Sequence, residues 1–460
     1  MISENSASRL RAHFRGALLR PKEEGYDEAR QVWNGAIDRK PAIVARCAGA
    51  DDVALAVKFA REHDMPLTVR GGGHAVAGYA VADDALMIDL SLMKGIHVDP
   101  AGQTVRASGG VLLGELDRAT QRFGLAVPSG IVSHTGVGGL TLGGGLGFTM
   151  RKYGLTVDNL MAATLVSADG ELKHVTAETD EELLWGLRGG GGNFGVVTSF
   201  EYRAHALGPM VTGGPVFWPI EDAPEVLRHL RDFADEAPDD LGIVLFLRPA
   251  PPAAFIPQQY HGKPVMGVFL VWSGDPAEAD AATAPIRRLG RPICDLFKVV
   301  PYLQLQSMLD GGNPHGVHYY WRSQRVPKLT DTVIDKLVDQ TVSSPTPMSY
   351  IGGFAIGGAV TRVAPEATSV GKREAGFEIN IVAAWHPAHP DPDQQVSWTR
   401  RGWEELQPHS SGVYANFLSD ETPASVRRSF GGSLPRLTAL KRRVDPTNVF
   451  SANANISPTP

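Results

Sequence analysis

The sequence contains few cysteines and no long run of apolar residues. Only Cys47 and Cys294 occur in 460 residues, so no disulfide framework is expected and a reducing compartment is favoured. No segment reaches the roughly 18 consecutive apolar residues of a membrane helix, and Met1–Arg20 lacks the apolar core of a signal peptide. We therefore expect a cytoplasmic protein that does not bind a membrane.

The chain also lacks a strong excess of charge of either sign. Its formal net charge is -6, and it has no basic stripe of the kind that binds nucleic acid. No His, Cys or Asp cluster has the spacing of metal ligands. We expect neither a nucleic-acid partner nor a metal site.

Glycine, in contrast, is abundant. The 51 glycines are about 11% of the chain, against a usual value near 7%. Many of them fall in four clusters, at 71–73, 136–147, 189–195 and 352–358. Neither the P-loop nor the Rossmann fingerprint fits these clusters. Two interpretations remain open: several loops that hold a large anionic ligand, or tight turns in a β-rich domain.

Hydrophobic periodicity predicts an α+β protein. In the first half, helices alternate with strands. After Gly208-Pro209, prolines become frequent and the pattern indicates an antiparallel sheet. The predicted helices are 51–63, 112–123, 180–186, 223–235, 277–289, 331–341, 394–406 and 424–444; the predicted strands are 66–69, 85–90, 104–107, 159–168, 171–175, 196–202, 242–248, 265–272, 318–322 and 377–385.

Several motifs then resemble one family in its own order along the chain. They are Val69–Gly78, Thr135–Gly147 and Leu187–Thr198, followed near the end by Tyr414–Asn416 and Leu440–Phe450. Together they resemble the FAD-linked oxidases of the berberine-bridge-enzyme type, in the vanillyl-alcohol-oxidase (PCMH) superfamily. The resemblance covers about residues 40–210 and 412–456 and is loose between them.

This resemblance implies three segments. Residues 1–207 are expected to form a PCMH-type FAD-binding domain. Residues 208–412 are expected to form a substrate domain, with an antiparallel sheet covered by helices. Residues 413–460 are expected to return to the FAD domain as a berberine-bridge-type segment.

The resemblance also implies FAD that is covalently bound through His74. Some members have a second link through a cysteine, but Val132 occupies that position here, so a single link is expected. Thr135, small and next to Gly136, is expected to leave room for dioxygen. The expected cofactor-binding residues are Arg70, Gly71, Gly72, Gly73, His74, Ala75, Gly78, Thr135, Gly136, Gly139, Gly144, Gly145, Gly195, Val197, Tyr414, Asn416 and Asn453.

The proton acceptor is less apparent. Many members of the family have a tyrosine directly after the asparagine of the C-terminal motif, but here Phe417 follows Asn416. Glu378 and Asn380 lie on one face of a predicted strand, and we expect them to be catalytic, with Glu378 as base or substrate orienter. The alternative is a solvated strand face. Expected substrate-binding residues are Tyr79, Tyr319, Trp321 and Phe417, although aromatic residues in strands commonly pack in a core.

The expected function is that of an FAD-dependent oxidase. It would transfer a hydride from a small organic substrate, an alcohol or a natural-product intermediate, to flavin N5, and pass the electrons to dioxygen to give hydrogen peroxide. One alternative is a C–N oxidase of the 6-hydroxynicotine-oxidase type, which needs no strong base when the amine binds neutral. Another is a flavin-binding protein or cyclase without net oxidase turnover.

Overall fold

The computed structural model describes residues 4–419 and 422–459, and it has an α+β fold. Met1–Ser3, Asp420, Glu421 and Pro460, which belong to the first and third predicted segments, lie outside the described residues. The strands are β1 Ala17–Leu19, β2 Ile43–Arg46, β3 Leu67–Arg70, β4 Leu86–Asp89, β5 Ile96–Asp99, β6 Thr104–Ser108, β7 Leu125–Ala126, β8 Leu160–Val166, β9 Leu172–Val175, β10 Val196–Arg203, β11 His205–Ala206, β12 Met210–Pro219, β13 Leu241–Pro249, β14 Pro264–Trp272, β15 Cys294–Asp295, β16 Lys298–Pro301, β17 His318–Val326, β18 Tyr350–Ile356 and β19 Gly376–Trp385.

Most helices lie between these strands, and a last pair lies at the C-terminal end. They are α1 Glu4–His13, α2 Tyr26–Ala29, α3 Ala50–Glu62, α4 Leu113–Gln121, α5 Val137–Leu142, α6 Met150–Tyr153, α7 Ala177–Leu187, α8 Ala223–Glu236, α9 Ala279–Arg287, α10 Tyr302–Gln306, α11 Asp331–Val342, α12 Ala359–Arg362, α13 Pro392–Leu406, α14 Pro423–Phe430 and α15 Leu434–Val444. In the part of the chain that the structure describes, no helix has both the length and the apolar character needed to cross a membrane.

The strands form three larger sheets. A four-stranded sheet has the order β1-β2-β4-β3, and a five-stranded sheet has the order β5-β6-β10-β8-β9. The third sheet has eight strands, in the order β15-β12-β14-β13-β18-β19-β17 with β16 paired to β12, and its paired strands are antiparallel. This eight-stranded sheet is built entirely from the middle of the chain.

The two faces of the eight-stranded sheet pack against different partners, because side chains alternate along each strand. On β13, Leu245 and Leu247 belong to a core that includes Val226 of α8 and Leu337 of α11. Helices therefore cover this face, as the sequence predicts. On the opposite face, Val244 packs in a core with residues of the first half of the chain, including Phe148 and Leu155. This second face is turned toward the glycine-rich loops.

Each of the predicted elements has a counterpart in the structure, with one exception in form. The predicted helix 424–444 is two helices, α14 and α15. The helix is interrupted at Gly431, whose φ of 51° is unfavourable for other residues. Pro435 then lies in the first turn of α15. The sequence analysis missed β12 and β18, because the adjacent glycines of each strand hide the alternating pattern.

A buried ion pair joins α15 to the third glycine cluster. The Lys441 ammonium donates to an Asp445 carboxylate oxygen at 2.7 Å and to the carbonyl oxygens of Asn193 and Phe450 at 2.8 and 2.9 Å. Asp445 also accepts the backbone N–H groups of Val449 and Phe450. Both charged side chains have no exposed surface, so each depends on the other for compensation.

We therefore expect Lys441→Met to lower the free energy of unfolding by about 3–5 kcal/mol, because the Asp445 carboxylate would be left buried without its counter-ion. Denaturant unfolding followed by circular dichroism measures this change. Arg443→Met is the matched control on the same helix: its ion pair with Asp180 is half-exposed, so we expect a loss below about 1 kcal/mol. Equal losses in the two variants would contradict this role for Lys441.

Candidate functional site

A large cavity lies between the glycine loops and the inner face of the eight-stranded sheet. Its volume is about 1070 Å³, slightly above the range of roughly 300–1,000 Å³ that is usual for small-molecule sites. One wall comes from the loops after β3, before α5 and after α7. The facing wall comes from β13, β18 and β19. The cavity has room for a dinucleotide together with a small substrate.

Glycines of the loop wall serve two different purposes. A Cβ added at Gly72 would lie only 2.4 Å from the backbone nitrogen of Gly136, so these two residues let the first and second loops touch. At Gly139, no described atom outside its chain neighbours and its own helix backbone lies within 4 Å of such a Cβ, so this glycine leaves its backbone open to the cavity. A wall of accessible backbone fits the close approach of a large anionic cofactor such as FAD.

The structure places most of the predicted cofactor-binding residues in this cavity. Those that line it are Gly71, Gly72, Gly73, His74, Ala75, Thr135, Gly136, Gly139, Gly195, Val197, Tyr414, Asn416 and Asn453. Four others lie behind the wall.

These four residues shape the loops. Arg70 donates to the carbonyl oxygen of Ala29 at 2.8 Å. Gly78 has φ 76°, and Ile37 fills the space beside it. Gly144 and Gly145 also have positive φ, 128° and 85°. In the structure these four residues support the loops, and their contact with the cofactor stays a prediction.

Tyr414 shows why Gly144 and Gly145 are needed. Its hydroxyl accepts the backbone N–H of Gly145 at 2.8 Å and an N–H of the Asn416 side chain at 3.2 Å. A Cβ at Gly144 would lie 3.2 Å from its ring. Burial raises the pKa of Tyr414 to about 12, so the phenol stays neutral. This tyrosine fastens the C-terminal segment to the second glycine loop.

His74 follows β3 and the turn at Gly73, whose φ is 65°. Its Nε2 lies 3.1 Å from Nδ1 of His134, and its ring stacks on Trp33 at a centroid distance of 4.3 Å. Burial, followed by His134 and His315, lowers the pKa of His74 to about 3. The imidazole is therefore neutral, and Nε2 is held by His134. In the tautomer that carries its proton on Nε2, the lone pair of Nδ1 is available as a nucleophile.

The sheet wall is ordered by strand register. Phe246 of β13 pairs with Gly352 of β18, Gly352 with Asn380 of β19, and Asn380 with Ser323 of β17. Only one side chain, that of Tyr350, comes within 4 Å of a Cβ built at Gly352. The glycine therefore leaves a depression in the wall between Phe246 and Asn380.

Asn380 and Glu378 share a strand face, as the sequence predicts, but they have different surroundings. Asn380 lines the cavity, and its buried Oδ1 has no protein partner among the described residues. Glu378 is fully buried and does not line the cavity; its Oε2 accepts Nε–H of Arg325 at 2.7 Å. Because the Glu378 carboxylate faces Arg325 and not the cavity, the geometry favours a structural role, and its role as base or substrate orienter stays a prediction.

Three of the four predicted substrate-binding residues, Tyr79, Trp321 and Phe417, line the cavity. Trp321 meets Phe417 edge-on at 5.7 Å, and its indole N–H has no partner among the described residues. Tyr319 lies behind the wall, stacked on Trp33 at 3.9 Å. Tyr319 therefore supports Trp33, which in turn stacks on His74, and its contact with substrate stays a prediction.

The sequence analysis missed several residues of the site. Trp33 and His134 contact His74, and both come from segments without a predicted element. Arg248 and Tyr350 lie on the sheet wall. The alternation of β13 offered one signal, because Val244, Phe246 and Arg248 share a face. Among the described residues, no group of three His, Cys, Asp or Glu side chains is arranged to hold a metal ion.

Two family models match the chain. One, described as "FAD binding domain", matches residues 41–176, and one described as "Berberine and berberine like" matches residues 413–457. These ranges contain the first two glycine loops and the C-terminal segment that closes the cavity.

Whole-chain relatives agree with these models. An FAD-linked oxidoreductase of Dictyostelium discoideum is 33% identical over 96% of this chain and 95% of its own length. The (R)-6-hydroxynicotine oxidase of Paenarthrobacter nicotinovorans is 30% identical over 97% of each chain.

The crystal structure of 6-hydroxy-D-nicotine oxidase from Arthrobacter nicotinovorans superposes with a TM-score of 0.87 at 29% identity, over 97% of this chain and 98% of that one. Sequence identity at this level over nearly the full length, together with a matching fold and a cavity lined by backbone, identifies the family of this chain. The chain belongs to the FAD-linked oxidoreductases of the berberine-bridge-enzyme type.

Proposed function

We propose that this FAD-linked oxidoreductase is an oxidase that holds its flavin through one covalent bond to His74. When bound, the flavin supplies a hydride acceptor for a small organic substrate and passes the electrons to dioxygen, giving hydrogen peroxide. The observation that carries the proposal is the position of His74 in the cavity, as a neutral imidazole held by His134 and Trp33.

The surroundings of His74 suit bond formation to carbon. A neutral imidazole is a nucleophile, whereas a protonated one is not. The Trp33 stack and the His134 contact restrict the orientation of the ring, which reduces the entropy lost when the bond forms. His134 can also accept or donate a proton as the electron distribution of the His74 ring changes.

A single link is supported by the residue at position 132. Val132 lines the cavity and has no sulfur. Of the two cysteines, neither belongs to the cavity lining, and Cys47 is buried elsewhere, in the core beside β2. Burial raises the pKa of the Cys47 thiol, so it is also a weak nucleophile.

Reaction with dioxygen is supported by Thr135, which lines the cavity next to Gly136. Its side chain is small, so a gap remains beside the loop for a diatomic molecule. The substrate is oriented in our proposal by Asn380, because the unpaired Oδ1 can accept a hydrogen bond from a substrate hydroxyl or amine. This hydrogen bond would place the neighbouring C–H bond toward the flavin.

A C–N oxidase is the second candidate. Phe417 lines the cavity where many family members have a tyrosine, and one relative at 30% identity is named (R)-6-hydroxynicotine oxidase. A neutral amine can give up a hydride without a base. Anaerobic bleaching of the flavin by amines but not by alcohols would favour this reaction over alcohol oxidation.

His74→Ala tests the covalent link. We expect wild-type protein to give a yellow pellet after precipitation with acid, because the flavin stays attached to the denatured chain. The variant should give a colourless pellet and a yellow supernatant. His97→Ala, an exposed histidine outside the cavity, is the control and should behave as wild type. Acid-stable flavin in the His74 variant would overturn this assignment.

Asn380→Leu tests the orienting role. With a substrate found by anaerobic bleaching, we expect the rate constant of flavin reduction to fall about tenfold, the value of one hydrogen bond. Reoxidation by dioxygen should be unchanged. Stopped-flow absorbance measures both steps.

Glu378→Gln is the matched variant on the same strand face. We expect it to reduce flavin at nearly the wild-type rate. It should lower the free energy of unfolding by about 3 kcal/mol, because Arg325 loses its buried partner. If the Glu378 variant slows reduction as much as the Asn380 variant does, the assignment of Asn380 alone is wrong.

A further inference from the structure

Arg248 is a cation that lines the cavity, and none of the described residues provides a counter-ion for it. We propose that it binds a carboxylate of the substrate, so that the enzyme acts on aromatic or apolar acids that carry their oxidisable group at the other end. This inference rests on the proposed function and adds the substrate class.

The position of Arg248 follows from the alternation of β13. Leu245 and Leu247 point into the core beneath the helices. Phe246 and Arg248 belong to the opposite face and line the cavity. The guanidinium carbon lies 6.0 Å from the centre of the Tyr350 ring, and its Nη1 lies beside Gly312, another lining residue. The charged group therefore faces the cavity from the sheet wall.

No carboxylate of the described residues pairs with Arg248. Its hydrogen bonds go to two carbonyl oxygens, that of Pro249 at 3.2 Å from Nε and that of Pro347 at 3.4 Å from Nη2. Nη1 donates to no described protein group. Arg325 of β17, in the same sheet, has Glu378 as an ion-pair partner. The sheet thus neutralises one arginine and leaves the other available.

The rest of the cavity supports an anionic ligand. Among the described lining residues there is no aspartate and no glutamate; the side chains with a full charge are Arg248 and Lys298. Lys298 is exposed and adds positive potential, which attracts anions to the opening. A cationic substrate would meet repulsion here without any compensating partner.

The flavin diphosphate is a less suitable partner for Arg248. The accessible backbone that suits phosphates lies on the loop wall, in residues such as Gly139 and Gly191, whereas Arg248 lies on the sheet wall. Its neighbours there are aromatic: Phe217, Phe246, Phe255 and Tyr350 also line the cavity. These rings match the apolar body of an organic acid.

Strand geometry sets the length of the substrate. Arg248 and Asn380 are two strands apart and are offset by two residues along the strands, because Asn380 is level with Phe246. With about 4.8 Å between strands and about 3.4 Å per residue, their Cα atoms lie roughly 12 Å apart. A substrate that contacts both side chains must span a distance of this order, which is about that of one aromatic ring with its substituents. A hydroxyl or amine at Asn380 and a carboxylate at Arg248 fit this span.

The test uses the holoenzyme and three probes of one shape: 4-(hydroxymethyl)benzoate, 4-(hydroxymethyl)benzamide and 4-(hydroxymethyl)benzylamine. Changes in the flavin absorbance spectrum during anaerobic titration report binding, and bleaching reports oxidation. We expect the carboxylate to bind about 10- to 100-fold more tightly than the amide, and the amine to bind most weakly.

Arg248→Met should remove this preference, so that acid and amide bind with nearly equal affinity while the amide constant is unchanged. Arg248→Lys should keep part of the preference because it keeps the charge. Arg291→Met, an exposed residue outside the cavity, is the control and should keep all of it. Thermal melting of each variant checks that it is folded.

Three results would overturn the inference: equal affinity of wild type for acid and amide, a preference that survives in Arg248→Met, or failure of that variant to incorporate FAD, which would assign Arg248 to the cofactor. Failure of the proposed function looks different. If the neutral or the amine probe alone bleaches the flavin, the oxidoreductase assignment stands and the acid substrate is wrong. If the acid binds with the expected preference but no probe bleaches the flavin, the charge assignment stands and the oxidase proposal loses support.

Discussion

The cavity depends on a pair of opposite charges that lies behind its wall. Lys441 and Asp445 are both fully buried, so each charge is compensated by the other and by the carbonyl and N–H groups around the pair. Those groups belong to the third glycine loop and to the segment after α15. The pair thereby holds the C-terminal segment against the first half of the chain. Tyr414 adds a second attachment, to Gly145.

The two walls of the cavity present different chemical groups. The loop wall presents backbone, and its glycines remove the side chains that would keep a large cofactor at a distance. The sheet wall presents the few polar side chains, with Asn380 and Arg248 on one face and rings between them. In the proposed function, anchoring and substrate recognition therefore belong to different walls. A change on β13 or β19 would then alter the substrate without altering the proposed attachment of the flavin at His74.

Local motifs made much of the cofactor wall predictable. Each glycine loop is continuous in sequence, and its function depends on backbone conformation, which the residue type controls directly. Glu378 shows what a local sequence pattern does not predict. Alternation along β19 correctly placed it on the inner face with Asn380, but alternation does not reveal that Arg325 of β17 lies opposite. Trp33 and His134 were missed for the same reason, since they reach His74 only through tertiary packing.

By itself the sequence determined the fold class, the glycine loops, the position of His74 and the lack of a cysteine at Val132, because each of these depends on residues that are neighbours in the chain. Only the tertiary structure decided which carboxylate is neutralised, which amide is left unpaired and which arginine faces the cavity. Those properties depend on the distance between side chains from different strands and loops. Burial makes each of these contacts important for the free energy of folding or binding. A charge or amide removed from water is costly unless it is paired with a group of the protein or of the substrate.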